Sequence, residues 1–124
     1  MPPSSNSGPD YARAPQHSIT VTPFAGTAEA VMGDQVIARS DRALELRESK
    51  YDPVIYFPAG DVRKDLAQAS ARSTHCPFKG DARYWRFGTD DDVAWSYETP
   101  FDEVLEIAGY VAFYVDKVQV RTSS

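Results

Sequence analysis

The sequence predicts a mainly β protein, built from antiparallel, hairpin-linked strands with two short helices. Apolar and polar residues alternate with a period of two along Ala43–Glu48 and Ala82–Phe87, the spacing that sends successive side chains to opposite faces of a strand. Pro and Gly punctuate the chain between such runs, as they do in hairpin loops. Aromatic residues are plentiful, with seven Tyr, six Phe and two Trp, and they favour strands and pocket walls.

Taken in order, residues 1–16 are rich in Pro, Ser, Gly and Asn with almost nothing to bury. That composition predicts a disordered tail and leaves one β-rich domain over 17–124. Ile19-Thr20-Val21 reads as an edge strand stopped by Pro23. Val31 and Met32 lead into a Gly33-Asp34 turn, and Gln35 to Arg39 returns as the second arm of a hairpin. In Ala43–Glu48, Leu44 and Leu46 face inward while Glu45 and Arg47 face water. Val54-Ile55-Tyr56-Phe57 is apolar without alternation, which implies burial on both faces, and Pro58 closes it. Asp61 is placed to cap a helix over Val62–Ala69, with Val62 and Leu66 on its inner face.

Ala82–Phe87 and Val93–Glu98 then form strands around an acidic loop at Gly88–Asp92. That loop lacks the glycine and glutamate spacing of a calcium-binding EF-hand. Thr99-Pro100-Phe101-Asp102 has the form of a helix start, with Phe101, Val104, Leu105 and Ala108 at helical spacing and Gly109 as the stop. Tyr110–Val115 and Val118–Val120 complete the β pattern.

Composition bounds the function. At 124 residues the chain is the size of one domain with room for a substantial core. A net charge of -5 argues against a nucleic-acid binder, which carries a basic stripe. No apolar run approaches the roughly 18 residues that span a bilayer, and the N-terminus lacks a signal-peptide core. A single Cys makes no internal disulfide, so a reducing cytoplasm is the expected compartment, with the chain a monomer or homodimer.

The chemistry gathers at Arg72–Tyr84, which holds the one Cys, one of the two His and a lysine in a Pro/Gly turn. Cys76 admits two readings. It is a nucleophile if a base and a lowered pKa support it, or a packing thiol if buried. His75 is adjacent, but neighbours on an extended chain point to opposite sides, and Pro77 offers no N–H to an oxyanion. Lys79 beside Gly80 suggests an anion-binding turn, and an exposed-tip lysine there would govern ligand affinity while contributing little to stability. Tyr56, Tyr84, Trp95 and Tyr97 are candidate pocket walls, and Asp61 and Glu98 candidate acid/base or ligand-binding groups. Cys76, His17 and His75 are too few for a structural zinc site. No cofactor is implied.

Val54-Ile55-Tyr56-Phe57-Pro58 with Asp61-Val62, Thr74–Tyr84, Ala94–Tyr97 and Gly109–Tyr114 together resemble a largely bacterial family known as domain of unknown function 427, sometimes labelled nucleotidyltransferase-like. The resemblance runs from about Gln35 to Val120. It implies a compact tent-like or barrel-like fold akin to methionine sulfoxide reductase B and the Mss-type relatives. Those relatives often hold zinc between paired cysteines, which this chain lacks. It also lacks the Gly-Ser loop and paired aspartates that nucleotidyl transfer requires. The expected function is binding of a small polar or anionic molecule in an aromatic-lined pocket between sheets, with Cys76 and Lys79 as its reactive groups. The alternative is a non-catalytic peptide- or protein-binding module.

Overall fold

The computed structural model describes residues 18–48, 51–88 and 91–123. The tail expected over 1–16, together with His17, lies outside these residues. Among the described residues the strands are β1 (Ile19–Pro23), β2 (Thr27–Met32), β3 (Gln35–Ser40), β4 (Leu44–Glu48), β5 (Val54–Tyr56), β6 (Ala67–Cys76), β7 (Gly80–Phe87), β8 (Ala94–Tyr97), β9 (Val111–Phe113) and β10 (Gln119–Ser123). They form three antiparallel sheets, ordered β1-β4-β5, β10-β2-β3 and β6-β7-β8-β9. The protein is mainly β, and the sheets do not close into a barrel. The packing is compatible with a tent.

The apolar run at Val54–Phe57 divides two cores. Tyr56 joins Leu46, Tyr84, Tyr97, Val104 and Ile107 in one, with Val54 packed against it. Phe57 joins Ile37, Phe87, Phe113 and Val118 in the other, with Ile55 against that one. The absence of alternation in this run therefore has a physical basis, since both of its faces are apolar. Past β5, Phe57 exchanges two backbone hydrogen bonds with Val111, each 2.8 Å. That bridge joins the first sheet to β9.

Both expected helices are corrected. In place of a helix at Val62–Ala69 there are single 3-10 turns at Ala59–Asp61 and Lys64–Leu66. The chain from Ala67 onward is strand, with Ala67 opposite Phe87 and Gln68 opposite Arg86. Tertiary pairing with β7 overrides a short helical pattern that carries little stability of its own. Asp61 closes the first of these turns rather than capping a helix. The second segment is a 3-10 stretch at Asp102–Ile107, broken by non-helical dihedrals at Val104. It still buries Val104 and Ile107, as the spacing predicts.

The β6–β7 turn, Pro77-Phe78-Lys79, is tied down from outside the hairpin. Phe101 donates its backbone N–H to the Lys79 carbonyl at 3.0 Å. Gly80 has φ +116°, and a Cβ there would stand 3.4 Å from Pro100 Cα and 3.5 Å from the Phe101 nitrogen. The 99–101 backbone thus lies at van der Waals distance from the place a side chain would take. Gly80→Ala is expected to destabilise the protein by about 1–3 kcal/mol, because an L-residue is strained at this φ. Urea denaturation checks it, with an unchanged midpoint as the contrary result.

Candidate functional site

The turn carries Lys79 across to the end of β4. Its Nζ donates to Glu48 Oε1 at 2.6 Å, and the two side chains are only 16% and 11% exposed. Cys76, at the last position of β6, is half-buried and unbridged. Glu48, Tyr51, Val54, Cys76 and Lys79 together line an open cavity of about 350 Å³. Glu48 and Tyr51 carry no motif in sequence. The period of two sets Glu48 on the inward face with Leu44 and Leu46, but only the fold brings it to Lys79, 31 residues on.

The phenols of Tyr56 and Tyr97 lie in the core on this side, against which Cys76 packs. Tyr56 Oη accepts the Trp95 indole N–H at 3.1 Å. Burial pushes the Tyr56 phenol far above its ordinary range, outweighing that lowering hydrogen bond, and the charges of Glu48 and Cys76 raise it further. Burial also raises Tyr97 strongly, with smaller contributions from Tyr56 and Cys76. Tyr84 shares the core and its hydroxyl bonds Thr74 Oγ1 at 2.8 Å. None of the four aromatics named from sequence lines this cavity: Tyr56, Tyr84 and Tyr97 belong to the core against which Cys76 packs, and Trp95 packs against the same core.

Two named residues lie elsewhere. Asp61 stands 3.6 Å from the Arg42 guanidinium, in a polar recess with Thr27, Arg39 and Ser40. Glu98, one residue past the end of β8, stands 3.7 Å from Arg83 and accepts from Ser96 Oγ at 3.3 Å. His75 does turn away from Cys76, as strand alternation requires, with Nδ1 2.8 Å from an Asp81 carboxylate oxygen on the exposed side. Among the described residues no three His, Cys, Asp or Glu side chains gather as metal ligands. No helix of the described residues is long and apolar enough to cross a membrane.

Residues 20–124 match the family described as Domain of unknown function (DUF427). The chain belongs to that family. No curated protein matches it.

Tyr114, partly buried, is also pushed up, to about 12, by burial and its hydrogen bond to Tyr84. All three phenols start from 10.0 when unperturbed, so the unfolded chain loses these protons before the native one does. Their contribution to stability is whole below about pH 10 and is lost as pH rises through the native values. The melting temperature is expected to fall steadily above about pH 10, with tyrosinate absorbance from these residues rising together with loss of tertiary structure. Ionisation of Tyr56, Tyr97 or Tyr114 at pH 10 in a folded protein, followed residue by residue by NMR, would contradict this.

Proposed function

We propose that this domain binds a small polar molecule in the cavity beside Cys76, with the Lys79–Glu48 pair as its recognition element. The pair itself carries the reading. Two charges taken this far out of water contribute little net stability even when paired, yet here they stand in the wall of a cavity next to the chain's one thiol. They present a strong donor and a strong acceptor side by side. A ligand bearing both complements, such as an amide or an α-amino acid, meets both halves. A bare anion meets the Glu48 carboxylate as well as the ammonium, so the anionic class expected from sequence gives way to a polar or zwitterionic one. The openness of the cavity supports a second reading, an extended peptide offering its backbone amides.

The domain boundary proposed with this function runs from 17 to 124, and the compartment proposed is the cytoplasm. The test is a thermal-shift panel of amides, carboxylic acids, amino acids and short peptides, paired with maleimide labelling of Cys76. A ligand is expected to raise the midpoint, since it binds the native state alone, and to slow labelling. Tyr51→Ala, at a wall residue 71% exposed, should weaken both effects without unfolding the protein. A panel in which no compound protects Cys76 overturns the proposal. Preference for peptides over single amino acids selects the second reading.

A further inference from the structure

We infer that a separate cleft, on the far side of Val54 from the thiol, is a second binding site that takes a small organic cation with an aromatic body, of the arylalkylamine class. The cleft measures about 470 Å³, within the size range of small-molecule sites, and it shares only Val54 with the Cys76 cavity. Its inner wall is an aromatic corner. The rings of Trp95 and Tyr114 lie 4.7 Å apart at 51°, with Phe113 and the aliphatic Val120 beside them. The Trp95 N–H is committed to Tyr56 Oη. That hydrogen bond satisfies the polar edge of the indole and holds the ring in place before any ligand arrives.

The charged lining residues described in this cleft have one sign. They are Asp52 and Asp116, both exposed, and among the described residues no Lys or Arg lines it. Lys117 lies close by, 5.8 Å over the Tyr114 ring, but its Nζ donates to the Asp92 carbonyl at 3.2 Å. An apolar corner rimmed by carboxylates attracts a cation twice, through the electron-rich ring faces and through direct Coulomb attraction. It repels an anion of the same shape. This is the opposite preference to the lysine-bearing stretch that dominates the sequence, and it belongs to a site of its own.

The experiment titrates the full chain with 2-phenylethylamine, 2-phenylethanol and 3-phenylpropionate, following the indole N–H signals by NMR. The amine is expected to shift the Trp95 signal and to bind about five- to tenfold more tightly than the alcohol, with the carboxylate weaker still. In the Asp52→Asn/Asp116→Asn variant, which changes only exposed side chains, the preference for the amine should disappear while the spectrum stays that of a folded protein. The inference is overturned if the alcohol or the carboxylate binds as tightly as the amine. It is also overturned if none of the three moves Trp95 at millimolar concentration, or if the double variant keeps the preference. A basic aromatic peptide binding far more tightly than the amine, or a dimer that already covers Trp95, would overturn it as well by naming a different occupant. A negative result leaves the Cys76 site untouched, because the maleimide readout does not involve Trp95.

Discussion

Lys79→Met is expected to destabilise the protein by about 2–4 kcal/mol, because removing one member of a largely buried ion pair weakens the compensation of the other charge. Glu48, 11% exposed and 2.6 Å from the lysine ammonium, would lose that partner. Glu48→Gln/Lys79→Met should recover part of the loss, since a neutral amide needs less compensation than a carboxylate. A double-mutant cycle in urea separates the coupling from the cost of either change. If Lys79→Met melts like the parent protein, the pair is solvent-screened and its role in recognition fails with it. The sequence suggests the reverse for this residue, an exposed lysine with little bearing on stability. The reversal comes wholly from Glu48, whose approach no local pattern announces.

Phe57→Ala should cost about 3–5 kcal/mol, the range for deleting a fully buried aromatic side chain. Phe57 is 0% exposed and meets the Phe113 ring edge-on at 5.5 Å. Its backbone also carries the bridge to Val111, which the substitution leaves intact, so the loss should appear as a lowered midpoint rather than a changed topology. Since folded domains have only about 5–15 kcal/mol in hand, the variant is expected to be partly unfolded at physiological temperature. Circular dichroism melts check this, and a loss under about 1 kcal/mol would mean the core closes over the gap.

The strands were legible where a local rule suffices. The Gly33-Asp34 hairpin, the alternation of Ala82–Phe87 and the two-faced run at Val54–Phe57 all stand where the sequence puts them. The helices were not, because a four-residue apolar spacing at Val62 and Leu66 reads the same whether a segment coils or extends to pair with β7. The candidate site was half legible. Cys76 and Lys79 announce themselves through chemistry and turn residues. Glu48, Tyr51 and Val54 reach them through strand pairing of β4 with β5, and pairing between distant segments leaves no trace in composition. Asp61 and Glu98 show the converse, since acids are as readily held by a nearby arginine as by a site.

The placement of β10 has a consequence for how the chain is made. It pairs with β2, setting Gln119 opposite Val31 and Ser123 opposite Thr27. During synthesis the β2–β3 hairpin emerges early, and the outer edge of β2 then has no strand to receive it until nearly the whole domain has been translated. An unpaired edge is a template for pairing with another chain, and nascent domains are most exposed to that hazard while incomplete. The risk of misassembly at this edge is thus concentrated in the interval before residue 119 leaves the ribosome, and it ends once β10 has docked on β2.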